Sequence, residues 1–269
     1  MFRLLTKTTV FCSCLVFPLG VLASDVLSEQ TWKIDETFFK QQVNQSMSPG
    51  RTVRSLISHY PQSTAGIVDV ALGLYPDKFK VIIHSAVSTQ PSSAEDIVTI
   101  ALKKGLTECE SIVEAAIKAE PSYVSFVARA AANASPDDFN DILRVAVLTE
   151  PDSADKIVQH MATSYPEKIA VILSNTVKHV PLVGEYIVDA LLAVFPNKAE
   201  EVVSVAVRES SAQREQIQRI ITTALNAGVT VDDVSNYATM GGATEAEIIA
   251  GVNASPQAPM NPTNDDLFD

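Results

Sequence analysis

The chain has 269 residues, 46% of them hydrophobic and 19% charged, a balance that suits a folded protein and excludes general disorder. Its formal net charge of −12 disfavours binding to nucleic acid or to an anionic membrane surface. Fourteen prolines exclude long uninterrupted helices, so any helices should be short.

The first 23 residues read as a secretory signal peptide. Arg3 and Lys7 supply a positive start, and an apolar stretch then leads to the small-residue cleavage pattern that ends at Ala23. The stretch is shorter than the ~20 apolar residues of a membrane span, so cleavage is a better interpretation than a membrane anchor. A mature chain beginning at Ser24 would reside outside the cytoplasm, in a periplasm or in the medium.

Removal of the signal peptide would change the charge and the cysteine content. It would leave 18 basic and 32 acidic residues, a net charge of −14, which favours solubility and a basic partner. Cys12 and Cys14 would also be lost, so Cys109 would be the remaining thiol and no internal disulfide could form.

Proline marks an internal repeat. It occurs every 30 residues at 61, 91, 121, 151 and 181, and a second series, offset by 15, falls at 76, 136, 166 and 196. Nine of the 14 prolines therefore lie on one 15-residue grid, and Leu106 fills the place that lacks one. Internal periods of roughly 20 to 50 residues indicate stacked repeat architectures.

Apolar residues keep the same register when each grid residue is counted as position 1. Positions 7 and 8 are Ile, Val, Leu or Ala in every unit from residue 61 to 210, and position 11 is mostly Ala. Positions 4, 7, 8, 11 and 12 form the stripe of an amphipathic helix, whereas a strand would alternate at every second residue. Each unit is predicted to be a helix of about 11 or 12 residues, with proline in its first turn and a connection of about two to four residues.

Short connections and short helices together predict the fold. Consecutive helices must run antiparallel, and each must bury its stripe against neighbours that have the same need. We therefore predict an all-α fold, a right-handed or arc-like α-solenoid of antiparallel helix pairs with a 30-residue repeat. The pattern resembles the α-solenoid class, and HEAT-like repeats in particular, over residues 46–225. The resemblance implies a scaffold-like role and carries no site residues across.

The ends of the array should be atypical, as capping repeats are. Residues 24–45 form an expected N-terminal cap segment, which includes the apolar residues Ile34, Phe38 and Phe39. The repeat domain covers residues 46–225, and shorter helical capping units follow over residues 226–254. Residues 255–269 are predicted to be a disordered acidic tail.

The sequence contains no motif for catalysis, metal or cofactor binding. The four histidines, His59, His84, His160 and His179, include no i, i+4 pair, and neither a serine-nucleophile motif nor a phosphate-binding loop is present. Cys109 falls at position 4, where sibling units carry apolar residues, so a buried core thiol is expected. We expect a non-enzymatic protein with no metal and no cofactor.

The two helix series differ in charge, and the difference points to a binding face. Units that start at 61, 91, 121, 151 and 181 hold 11 charged residues, whereas those that start at 76, 106, 136, 166 and 196 hold 21. Low charge with exposed aromatic residues marks interaction surfaces, and position 6 points away from the apolar stripe. In the first series, position 6 predicts that Phe126, Lys156 and Tyr186 are exposed, with Arg129 and His160 beside them. The alternative is that both aromatic rings fold onto neighbouring helices.

These observations predict an exported scaffold that binds a protein or peptide through the face just described, or that associates with itself. The main alternative is an enzyme or ligand-handling protein with a site in the solenoid groove or in the C-terminal units. A structural protein that polymerises end to end is a third interpretation. The repeat disfavours an enzyme because every unit follows one packing template, and the atypical ends disfavour polymerisation.

Overall fold

The computed structural model describes residues 34–46 and 48–255. Every described residue belongs to one compact unit. The predicted signal peptide and the predicted acidic tail, apart from Ser255, lie outside the described residues.

Over the described residues the structure contains fifteen α-helices and no strand. Most of these helices have 11 residues, in agreement with the prediction. Their bounds are α1 Glu36–Ser46, α2 Pro49–His59, α3 Thr64–Leu74, α4 Phe79–Thr89, α5 Ala94–Lys103, α6 Cys109–Ala119, α7 Val124–Ala134, α8 Phe139–Thr149, α9 Ala154–Ser164, α10 Ile169–His179, α11 Gly184–Val194, α12 Ala199–Glu209, α13 Arg214–Asn226, α14 Val231–Met240 and α15 Glu245–Ala254.

Each of the nine grid prolines begins a three-residue 3₁₀ turn, and the α-helix then starts at position 4. The prediction that proline occupies the first turn of the α-helix is therefore wrong by one short turn. The residue before proline lies outside the helical region, as at Tyr60 with φ −132° and ψ 62°, because the proline ring disfavours the helical conformation there. The turn closes when the Ser63 N–H donates to the Tyr60 carbonyl oxygen at 2.9 Å. The nine turns are Pro61–Ser63, Pro76–Lys78, Pro91–Ser93, Pro121–Tyr123, Pro136–Asp138, Pro151–Ser153, Pro166–Lys168, Pro181–Val183 and Pro196–Lys198.

The connection at Leu106, where the grid lacks proline, has no 3₁₀ turn. Helix α5 ends at Lys103, and Gly105 adopts a left-handed conformation with φ 59°. Its N–H donates to the Leu102 carbonyl oxygen at 3.0 Å, a helix termination that suits glycine. The next helix still begins at position 4, at Cys109, so a different turn preserves the register.

The helices pack in two layers. Each helix contacts the second helix after it in the chain, and nearly all consecutive helices contact each other as well. The odd-numbered helices, α1 to α15, form the odd layer, and the even-numbered helices, α2 to α14, form the even layer. This arrangement confirms an all-α solenoid of helix pairs.

The core lies between the layers and follows the predicted stripe. In all ten units from residue 61 to 210, the side chains at positions 7, 8 and 11 have 0% exposure. At the N-terminal end, Phe39 of α1 is fully buried but Phe38 is 41% exposed, so only one of the two predicted capping rings enters the core. At the C-terminal end, α14 packs on α12, and α15 packs on α13.

Candidate partner-binding surface

The five nominated residues lie on three neighbouring helices of the odd layer. Phe126 and Arg129 belong to α7, Lys156 and His160 to α9, and Tyr186 to α11, and α9 contacts both of the other helices. Phe126, Lys156 and Tyr186 occupy position 6 and are exposed, and His160 is exposed as well. We refer to the outward side of α7, α9 and α11 as the odd-layer face.

Phe126 lies at the centre of an aromatic and cationic cluster. The centroid of its ring is 5.5 Å from that of Tyr123 and 5.7 Å from that of His160, which meets it edge to face. The Arg129 guanidinium carbon lies 5.6 Å from the Phe126 centroid, in the range of a cation–π contact. Phe126 nevertheless remains 38% exposed. The ring is therefore partly covered by α7 and α9, and part of it stays accessible to a partner.

Tyr186 stands apart from this cluster. It is 60% exposed, and it makes no ring contact, ion pair or side-chain hydrogen bond with any residue in the described ranges. Leu182, in the 3₁₀ turn that leads into α11, is 74% exposed. We call Leu182 and Tyr186 the α11 ridge. Leu182 was missed from the sequence, although position 2 is polar in the other four units of its series and apolar here.

Ion pairs join successive helices of one layer in a fixed register. The acid at position 5 of one helix pairs with the arginine at position 9 of the next helix in that layer. Glu95 pairs with Arg129, and the other two cases, at 2.6 and 3.5 Å, are Glu110–Arg144 and Glu185–Arg219. We did not derive these pairs from the sequence, although their separation of 34 residues, one repeat plus one helical turn, is the signal that reveals them. Arg129 thus has two partners within the protein, Glu95 and the Phe126 ring.

The junction between α9 and α11 departs from this pattern. Position 5 of α9 is Asp155 and position 9 of α11 is Asp189, so both places carry a carboxylate. Neither aspartate forms an ion pair with a residue that the structure describes, and Asp189 is exposed. Asp189 follows Tyr186 by three residues and therefore lies on the same side of α11 as the ridge.

Cys109 is half-buried rather than fully buried as expected, and it packs against the core at the start of α6. Burial, and to a smaller extent the carboxylates of Asp138, Glu110 and Asp141, raise the pKa of its thiol to about 11, although a hydrogen bond with Ser135 acts to lower it. Thiolate is the reactive form, so this environment makes Cys109 a poor nucleophile at neutral pH.

We expect Cys109 to react slowly with a thiol reagent in the native protein and rapidly in denaturant. A pKa of about 11, against an ordinary value of 9.0, lowers the thiolate fraction by about 100-fold at pH 7. The rate is measured on a chain in which Cys12 and Cys14 are replaced by serine, so that Cys109 is the single thiol. Equal rates in native and denaturing buffer would contradict the described environment.

Open grooves lie on the described part of the surface. A groove of about 460 Å³ between α6 and α8 has several acidic side chains in its lining. Two of them already have partners, because Glu110 pairs with Arg144 and Glu114 pairs with Lys118. A basic groove of about 430 Å³ over α10 contains Ser174 and His179. Ser174 donates to Glu209 at 2.8 Å, and His179 Nδ1 lies 2.7 Å from the Asn175 carbonyl oxygen, so this serine and histidine are not paired. A third groove, of about 440 Å³, is lined by Glu185, Glu215, Gln218, Arg219, Thr222, Thr223 and Ala254.

Within residues 34–46 and 48–255, no group of three or more His, Cys, Asp or Glu side chains is placed to hold a metal ion. In the same ranges, every helix is too short or too polar to span a bilayer. No family model matches the chain, and no curated protein and no solved structure is significantly similar to it.

Proposed function

We propose that this protein is a non-enzymatic scaffold that works outside the cytoplasm and binds a protein or peptide partner on the odd-layer face. The observation that carries the proposal is the α11 ridge, whose Leu182 and Tyr186 are 74% and 60% exposed. Large apolar side chains grouped on a surface mark interaction sites, and buried aromatic anchors dominate binding energy. The sequence pattern of residues 1–23 supports export.

The surroundings of the ridge support the same proposal. The odd layer carries the smaller number of charged residues, which reduces the cost of removing its surface from water. Phe126 adds a second accessible ring on α7, and its contacts with Tyr123, His160 and Arg129 hold it in place before a partner arrives. A side chain that is already ordered loses less conformational entropy on binding.

The test is the double substitution Phe126→Ala and Tyr186→Ala, scored for melting temperature and for partner recovery by affinity capture from the source's extracytoplasmic fraction. We expect at least tenfold lower recovery, since each anchor contributes about 2 kcal/mol or more when buried in an interface. Phe126 makes ring contacts within the protein, so its loss should also lower the melting temperature slightly. The pair Leu182→Ala and Tyr186→Ala avoids this complication.

The matched control is Val81→Ala with Val171→Ala. These valines occupy position 6 of α4 and α10 in the even layer and are 50% and 46% exposed. The control should keep full recovery. Loss of recovery in the control but not in the odd-layer variants would move the binding face to the even layer, and no captured partner at all would reject the proposed function.

A further inference from the structure

The α9–α11 junction indicates which kind of partner segment fits the odd-layer face. We propose that the partner supplies an arginine or lysine side chain that binds between Asp155 and Asp189, together with an apolar side chain that packs on the α11 ridge. This inference rests on the proposed function and specifies the chemistry of the partner.

The register of the ion pairs between helices sets the α9–α11 junction apart from the others. There are nine pairs of positions 5 and 9 between successive helices of one layer, from α3–α5 to α11–α13. Four combine opposite charges, four are uncharged, and Asp155 with Asp189 is the one pair of like charge. The arginine pairs show that these positions bring a carboxylate within contact of the side chain opposite. The place where other junctions hold a cation is therefore occupied at α9–α11 by a second acid.

Neither aspartate of this junction has an ion-pair partner among the described residues. In the described part of the chain, no ion pair and no side-chain hydrogen bond joins α9 to α11. Lys156, next to Asp155 in the sequence, forms no ion pair there, and Arg219 on α13 is already paired with Glu185. A cation from outside would supply the charge that this junction lacks and form charge-assisted hydrogen bonds with the carboxylates. Arginine suits this role better than lysine because its planar guanidinium can serve two carboxylates at once.

The α11 ridge lies on the same side of α11 as Asp189. Tyr186 and Asp189 lie three residues apart on α11, so one short segment can reach both. A partner with acidic side chains would place them against Asp155 and Asp189 and be repelled. The combination of two unpaired acids with an uncovered Leu and Tyr therefore selects a basic segment with an apolar neighbour.

The decisive variant supplies the missing cation from within the chain. Asp189→Arg should form with Asp155 the same kind of pair that Glu185 forms with Arg219, so its melting temperature should be equal to or higher than that of the wild type. The control is Asp96→Arg on α5, an exposed position-6 residue of the same layer that makes no ion pair in the described chain. Both variants change the net charge equally, so a difference between them reports the junction alone.

The probe is a library of short random peptides displayed on phage and selected on the full wild-type protein. We expect the selected peptides to be enriched in arginine or lysine beside an apolar residue, to bind Asp189→Arg at least tenfold more weakly, and to bind Asp96→Arg as tightly as the wild type. Equal binding to all three proteins, or selection of acidic peptides, would overturn the inference. If Asp189→Arg proves less stable, Asp189→Asn keeps the size of the side chain and should still weaken binding several-fold.

The outcomes separate this inference from the proposed function. Peptides that lose affinity for Leu182→Ala with Tyr186→Ala but bind Asp189→Arg normally would keep the binding face and reject the cation. Peptides that are insensitive to both variants, or a library that yields no binders, would reject both the face and the cation.

Discussion

Replacing Ile142 or Ile172 with alanine should lower the free energy of unfolding by about 2–5 kcal/mol. Both residues occupy position 7, in α8 and α10, and both have 0% exposure. Alanine leaves a cavity between the two layers, and the surrounding helices, held by short turns, have little freedom to close it. Urea denaturation followed by circular dichroism measures the change.

The control for these core substitutions is Asp96→Ala. Asp96 is exposed at position 6 of α5, so its removal should change stability by no more than about 0.5 kcal/mol. Asp141 is a less clean control, because its carboxylate lies 3.2 Å from the Arg144 guanidinium. A cost at Asp96 as large as that at Ile142 would contradict the assignment of positions 6 and 7 to opposite sides of the helix.

Gly241→Ala should destabilise the protein by about 1–3 kcal/mol, the usual cost of forcing an extra carbon into a packed site. Gly241 follows α14, where a Cβ atom would lie 2.6 Å from the Ser204 carbonyl oxygen and 2.7 Å from Val207 Cβ, both on α12. Its φ of −75° is accessible to any residue, so the close approach of two helices is what requires glycine here. Thermal and urea unfolding of the variant measure the cost.

The same substitution at Gly66 should have the opposite sign. Gly66 lies inside α3, and apart from its chain neighbours and the backbone of its own helix no atom is within 4 Å of the place where its Cβ would be. Alanine there should raise stability by about 0.5–1 kcal/mol, because it reduces the backbone entropy lost on folding. Destabilisation by both substitutions would show that the effect at Gly241 is not a consequence of the α12–α14 contact.

The periodicity of the sequence was sufficient to predict the arrangement of the helices. Proline forces its preceding residue out of the helical region, so residues such as Tyr60 and Tyr75 end their helices where the grid predicts. The 3₁₀ turns were not predicted, because positions 1 to 3 are outside the apolar stripe and periodicity carries no information about them. Gly105 shows that another turn can serve the same purpose, provided that the next helix begins at the same position.

The contacts of the candidate site were harder to predict from the sequence than the fold. The exposure of Tyr186 follows from the helical wheel, which is a property of one helix. The contact of Phe126 with His160 joins position 6 of one helix to position 10 of the next in its layer, and the ion pairs join positions 5 and 9. Both contacts share an offset of four residues between neighbouring helices. That offset depends on how two helices pack side by side, so the pattern of a single helix cannot predict it.

The connections have a consequence for how this protein can change in evolution. Most connections consist of one non-helical residue and one 3₁₀ turn, and one residue added inside a helix would rotate the residues after it by about 100° about the helix axis. The added residue would turn the buried stripe of that helix toward water. A tandem duplication in the gene that adds a whole 30-residue hairpin preserves every contact on either side of the insertion. The length of the array is therefore free to grow or shrink in whole hairpins, while single-residue insertions and deletions should be removed by selection.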